Sequence, residues 1–100
     1  MINTKILEEL GLTKSEIKVY ISLLKIGESK KDAIVKSSKI SPSKLYDVTN
    51  KLMQKGLVSV ILKNNIKHFR AAPPEAIIHF IKEKRTNLKE KEDELTKNLL

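Results

Sequence analysis

The sequence falls in the mostly α class with a small β-hairpin, and three observations predict it. Capped or glycine-terminated apolar periodicities at helical spacing recur along the chain. One β-branched run, Leu57-Val58-Ser59-Val60-Ile61-Leu62, is followed by a turn and an alternating return segment. Only four aromatic residues are present, two Tyr and two Phe, so the core is built from Ile, Leu and Val, which suits small helices better than a sandwich. Two short helices, then a hairpin, then a last helix is the order of a winged helix-turn-helix with an added C-terminal helix.

From Ile2 to Leu10 the apolar positions 2, 6, 7 and 10 predict a short amphipathic helix ended by Gly11, its stripe packed on the C-terminal helix. Thr13-Lys14-Ser15-Glu16 is a capping box, with Leu12 placed to staple onto Ile17, so the next helix runs from Lys14 to about Ile26 and closes at Gly27. Ile17, Tyr20, Ile21 and Leu24 form its inward face, and Val19, Leu23 and Ile26 widen that face enough for burial on two sides. Ser29 and Asp32 repeat the cap pattern. They predict a shorter helix over Lys30 to about Ser38 that buries Ala33 and Ile34, with Val35 at the margin.

A tight turn through Lys39 and Ile40 leads to the best-marked start in the chain. Ser41 is placed to cap, Pro42 suits the first helical position, and Ile40 can staple onto Leu45. Leu45, Val48 and Leu52, with Thr49 and Met53 beside them, form the packed face, and the helix stops at Lys55-Gly56. The opposite face carries Ser43, Asp47, Asn50, Lys51 and Gln54. The strand from Leu57 then turns through Lys63-Asn64-Asn65, since Asn tolerates positive φ, and returns along His68-Phe69-Arg70-Ala71. Pro73-Pro74-Glu75 opens a charged helix from Ala76 to about Leu99. Ile77, Phe80 and Ile81 dock it on the domain. Ile81, Leu88 and Leu95 lie seven apart, a coiled-coil seam whose companion stripe is Lys84, Lys91 and Asn98.

One hundred residues make about one domain, divided here into a winged helix-turn-helix over 1–72 and a C-terminal helix over 73–100. The net charge of +8 is unevenly placed: residues 1–74 hold 14 Lys/Arg against 6 Asp/Glu, and residues 75–100 hold 6 against 6. A cationic excess confined to the helix-turn-helix is the footprint of a polyanionic partner. A Lys-rich proteome or a heat-adapted organism is the alternative source of 18 Lys against 2 Arg, although proteome bias alone does not account for the asymmetry. There is no cysteine, which removes disulfide and thiolate chemistry, and no apolar run approaches the roughly 20 residues that span a bilayer. With no signal peptide in view, the expected compartment is the cytoplasm.

Duplex DNA is the polyanion this architecture fits. Lys44 stands third in its helix, where a cation opposes the helix dipole unless a phosphate lies there. Ser43, Asp47 and Asn50 are the candidates for base edges: an Asn amide pairs with adenine and an Asp carboxylate accepts from cytosine. An ion pair of Asp47 with Lys51 or Lys44 is an equal alternative. Ser41, Tyr46, Lys51 and Gln54 complete the helix contribution, and Lys63, Asn64, Lys67, His68 and Arg70 are expected to line the wing. His68 and His79 are too isolated for a metal site. No catalytic constellation and no cofactor motif can be assembled. Dimerisation through Ile2, Ile6, Leu10, Ile81, Leu88 and Leu95 is the corollary of a DNA-binding role, because two domains then cover two half-sites.

Gly11-Leu12-Thr13, Glu16-Ile17-Lys18-Val19-Tyr20 with Leu23-Leu24, Ser43-Lys44-Leu45-Tyr46-Asp47-Val48, Leu52 with Lys55-Gly56-Leu57-Val58, and Phe69-Arg70-Ala71 with Pro73-Pro74-Glu75 occur in this order and spacing. Over residues 10 to 76 the chain resembles the TrmB-like family of archaeal winged-helix transcriptional regulators. The resemblance implies a DNA-binding domain whose helix from Pro42 to Lys55 enters the major groove, with Ser43, Lys44 and Tyr46 near its leading end. Lys39 stands where the family usually has Gly, implying a turn that is slightly strained or differently shaped, and Thr49 replaces a usual aliphatic residue, loosening the core there. Members often continue into a sugar-binding domain; with one further helix here, carbohydrate sensing is not carried over, and any effector is unknown. The expectation is a sequence-specific regulator of transcription, a homodimer on double-stranded DNA. A winged-helix module that docks proteins inside a nucleic-acid-associated assembly is the alternative.

Overall fold

The computed structural model describes residues 3–99. Its elements are α1 (Thr4–Glu9), α2 (Lys14–Ile26), α3 (Lys31–Ser38), α4 (Pro42–Gln54), β1 (Val58–Lys63), β2 (Ile66–Ala71) and α5 (Glu75–Leu99). The architecture is mostly helical, with one two-stranded antiparallel hairpin after the third and fourth helices.

The amide of Lys5 donates to the Asn3 side chain, which caps α1. This helix packs on α2 and buries only Leu7, with Leu10 at the edge of the core and Ile6 exposed. The expected docking of its whole stripe on the C-terminal helix is therefore corrected. Six residues make fewer than two turns, so a single row of side chains reaches the core. Ile2, expected on the same stripe, lies outside the described residues.

The capping box forms as expected: the Glu16 amide donates to Thr13 Oγ1 (3.1 Å) and the Thr13 amide to Glu16 Oε1 (2.8 Å). Helix α2 is the centre of the domain, touching α1, α3, α4 and β2. It buries Ile17, Val19, Tyr20 and Leu23, while Leu24 and Ile26, expected inside, are exposed. The row from Glu16 through Val19, Tyr20 and Leu23 already meets all four neighbours, so nothing remains to cover the far side of the last turn. The Tyr20 hydroxyl donates to the Ala72 carbonyl (3.1 Å), which fastens the chain leaving the hairpin to the central helix.

Ser29 is not the cap expected for α3. Its N–H donates to the Phe69 carbonyl (2.9 Å) and its carbonyl accepts from the Phe69 N–H (2.8 Å), making a bridge that adds a third short strand segment to the hairpin. With its carbonyl taken by the Phe69 amide and its hydroxyl donating to the Gly27 carbonyl (2.9 Å), Ser29 is turned away from the free amides of the helix that follows. The helix instead starts at Lys31 with Lys30 as an N-cap that makes no side-chain bond, and Ile34 is buried while Ala33 is exposed. Lys39 closes α3 in the left-handed region, φ 62° and ψ 22°.

Ile40 and Leu45 are both buried in the core cluster, in the places a hydrophobic staple requires. Leu45, Val48, Thr49 and Leu52 form the packed face of α4, and the Thr49 hydroxyl donates to the Tyr46 carbonyl (3.0 Å), so the polar substitute is satisfied. At the other end the Leu57 amide donates to the Leu52 carbonyl and the Gly56 amide to the Met53 carbonyl, with Gly56 at φ 75°. This is a Schellman stop that needs positive φ at position 56. The hairpin pairs Val58 with Ala71, Val60 with Phe69 and Leu62 with Lys67, and Asn64 and Asn65 make the turn at φ 52° and 64°. Ile77 and Phe80 dock the start of α5 in the same core, whereas residues 82–99 are exposed throughout.

Candidate nucleic-acid interface

Helix α4 presents Ser43, Lys44, Tyr46, Asp47, Lys51 and Gln54 to solvent, with Asn50 half-buried. Ser43, Asp47, Asn50 and Gln54 lie opposite the apolar row that fixes the helix to the core, with Lys44, Tyr46 and Lys51 on its flanks. Ser41 precedes them in extended conformation, and its hydroxyl makes no capping bond. This corrects the expected cap: the Ser41 Oγ lies 3.4 Å from Ser43 Oγ, so the two hydroxyls pair with each other. The first turn is closed by backbone alone, with the Lys44 and Leu45 amides donating to the Ser41 carbonyl.

Asp47 and Lys51 form an i, i+4 ion pair at 3.3 Å. Both side chains are more than half exposed, so the pair adds little to stability and remains available to a ligand. The ion pair with Lys51 that the sequence allows is present in the free domain, and it leaves the Asp47 carboxylate exposed.

The hairpin divides the expected wing residues between two faces. Lys67 shares a face with Phe69 and Val60 and reaches back to α4, its ammonium 5.1 Å from the Tyr46 ring centroid and 3.4 Å from the Tyr46 hydroxyl. Tyr46 is 57% exposed, so this contact bridges wing and helix at the surface. Lys63, His68 and Arg70 are on the opposite face by register. There the Lys63 ammonium is bonded to the Glu28 carboxylate, and His68 Nδ1 lies 3.7 Å from the same carboxylate. Lys63, followed by His68 and Arg70, holds the Glu28 carboxyl below its ordinary value against a smaller opposing effect of desolvation. The four residues expected to line the wing are thus all on the hairpin but on two faces, because strand alternation puts Lys67 on the side of α4 and Lys63, His68 and Arg70 on the other. Asn64 is at the exposed tip.

Three contributors were missed by sequence reasoning. Glu28 gives no local signal, since its position depends on the pairing of Ser29 with Phe69, 40 residues away in sequence. Lys30 and Lys31 line a cleft with Tyr46, Lys67 and Phe69, and their adjacency at the start of α3 was the available sign. Among the described residues, no three His, Cys, Asp or Glu side chains converge as metal ligands, and no helix is long and apolar enough to cross a membrane.

The family model described as "Sugar-specific transcriptional regulator TrmB" matches residues 7–75. An HTH-type sugar sensing transcriptional regulator, TrmBL1 of Pyrococcus furiosus, is 35% identical over 77 residues, 77% of this chain and 22% of that protein. In structure, the chain is similar to TrmBL2, described as an archaeal chromatin protein with a novel mode of DNA binding, at TM-score 0.83 and 21% identity over 94% of this chain and 37% of the other. A possible transcriptional regulator from Methanosarcina mazei Go1 superposes at TM-score 0.69 with 21% identity, covering 92% of this chain and 82% of its own. A MarR family protein from Bacillus stearothermophilus does so at 0.62 with 17% identity, covering 87% and 64%. These structural likenesses establish the winged-helix fold. The chain spans well under half the length of TrmBL1 and TrmBL2. With the match running from α1 through the wing to the first residue of α5, the chain belongs to the TrmB family of transcriptional regulators.

Proposed function

We propose that this domain binds duplex DNA sequence-specifically as a transcriptional regulator, with α4 in the major groove and the hairpin on the flanking backbone. One observation carries the reading: the exposed polar face of α4 stands beside a wing whose Lys67 is already turned toward Tyr46 on that helix. The net charge of +8, with the excess in residues 1–74, supports a polyanionic partner. Ser43, Asp47 and Asn50 are the readers in this proposal, and Lys44 is a phosphate clamp. The domain works in the cytoplasm as a homodimer joined through the exposed Leu88 and Leu95 of α5 together with Ile81, and it performs no catalysis.

Fluorescence anisotropy with DNA from upstream of its own coding sequence and with a scrambled duplex, each at two salt concentrations, tests the proposal. Affinity that falls steeply with salt and favours the upstream duplex is expected. Equal affinities would leave a nonspecific DNA binder. No binding to either duplex at low salt removes the DNA reading and favours protein docking.

A further inference from the structure

The cations around the hairpin differ in what neutralises them. Lys63 is bonded to Glu28, Lys51 is paired with Asp47 and Lys55 with Glu16. In the cleft between the start of α3, Tyr46 and β2, the arrangement is different. Lys30, Lys31 and Lys67 line about 340 Å³ of open space with Tyr46, Ile66, Phe69 and one carboxylate, Asp32. Among the described residues none of these three ammoniums lies within ion-pair distance of a carboxylate, and Lys67 rests on the Tyr46 ring instead. The cleft is roughly ten times the ~30 Å³ that a water molecule takes up in the liquid, which leaves room for a phosphodiester.

Three unpaired cations around one concavity repel one another, and a single anion seated among them turns that repulsion into attraction. Tyr46 adds a hydroxyl that can donate to the same anion, and its ring restrains Lys67 beforehand. Position selects the source of the anion. The cleft shares Tyr46 with α4, one residue from Asp47 and two from Lys44, so a backbone strand bordering the groove that α4 enters would run over it.

We propose that this cleft seats one phosphodiester of duplex DNA, gripped jointly by Lys30, Lys31 and Lys67 with the Tyr46 hydroxyl. The inference rests on the DNA-binding reading above. Lys30 and Lys31 are then binding residues contributed by the helix before the reading helix, and Asp32 is an opposing charge at the rim.

A shared seat has a signature that separate surface cations lack. Each phosphate neutralised contributes about 0.9 to the slope of log K against log salt for duplex DNA. The Lys30→Ala/Lys31→Ala double variant, Lys67→Ala and the triple variant are compared with wild type by anisotropy over a salt series, with thermal melting to verify that these surface changes leave the fold intact. The expected result is that the triple variant loses about 0.9 of slope, little more than either partial variant. Asp32→Asn should bind several-fold more tightly. A slope that falls in proportion to the number of lysines removed overturns the shared seat, and so does an unchanged slope in the triple variant while wild type binds. Displacement of the duplex by inorganic phosphate beyond its effect on ionic strength would assign the cleft to a small phosphorylated ligand and also overturn the proposal. Failure of wild type to bind any duplex removes the DNA reading itself, and the seat with it.

Discussion

The Glu16 carboxylate, 1% exposed, holds the Lys55 ammonium across 39 residues of sequence and joins the first turn of α2 to the last residue capping α4. One oxygen of the same carboxylate completes the capping box with the Thr13 amide. A single side chain therefore caps the central helix and pins the far end of the proposed reading helix. Burial on its own would raise the Glu16 pKa; the Lys55 ammonium and the Thr13 amide outweigh it and hold the group below its ordinary value.

The consequence is a defined pH dependence. A carboxyl whose folded pKa lies below its unfolded value, about 4.3 for Glu, stabilises the fold fully above that value and loses the contribution as pH falls through the lowered one. Urea unfolding of wild type should weaken across that acid window, and Glu16→Gln should flatten the dependence. At neutral pH Glu16→Gln keeps a cap acceptor and costs about 1 kcal/mol, whereas Glu16→Ala loses cap and ion pair together and costs about 2–3 kcal/mol. Lys55 is 26% exposed, which keeps these figures below those of a fully buried pair.

Lys39 occupies the turn between α3 and α4 at φ 62°, where a side chain opposes the backbone. Lys39→Gly should raise stability by about 0.5–1 kcal/mol, because relief of the left-handed strain exceeds the added freedom of the unfolded chain. Lys39→Ala keeps the strain and should give no gain. The urea midpoints of the three proteins check this; a lower midpoint for the glycine variant would show that Lys39 contributes a contact worth more than the strain.

What could be read from the sequence was local. Capping chemistry at Thr13 and Glu16 located α2, and paired Asn64 and Asn65 located the hairpin turn, because each signal and its consequence lie within a few residues. Partners brought together by the fold were not legible. Ser29 looked like a cap because its pairing with Phe69 is invisible locally, and Lys63 looked equivalent to Lys67 until strand register put them on opposite faces. The exposed face of α4 was legible from helical spacing alone, whereas Glu28, and the meeting of the adjacent Lys30 and Lys31 with Tyr46 and Lys67, entered only through tertiary geometry.

That division of the wing predicts unequal effects of removing its lysines and that of α4. Lys44 lies exposed in the first turn of α4, while Lys63 is already neutralised by Glu28 on the face away from Tyr46. Lys44→Ala should weaken binding similarly for all duplexes and reduce the salt slope by about 0.9. Lys63→Ala should leave both nearly unchanged, because Glu28 loses a partner and DNA does not. Asn50→Ala should relax preference at one base pair at a cost of about 1–3 kcal/mol. A loss on Lys63→Ala equal to that on Lys44→Ala would show that DNA displaces Glu28 and wraps both faces of the hairpin.

The C-terminal helix sets the last expectation. Leu88 and Leu95, 65% and 58% exposed, continue from Ile81 at seven-residue spacing on a helix whose residues 82–99 are exposed throughout. Such a row is stabilised by a second copy laid alongside it. The companion positions hold Lys84, Lys91 and Asn98, and Lys84 is engaged with the Phe80 ring, so charge repulsion at Lys91 opposes close approach. A dimer of this kind is weak alone and strengthened when DNA holds two domains together. Sedimentation equilibrium should show Leu88→Asp/Leu95→Asp to be monomeric without loss of melting temperature, and Lys91→Leu to dimerise at several-fold lower concentration than wild type. Dimerisation unaffected by the Asp substitutions would move the interface off α5, to the exposed Leu24 and Ile26 at the end of α2.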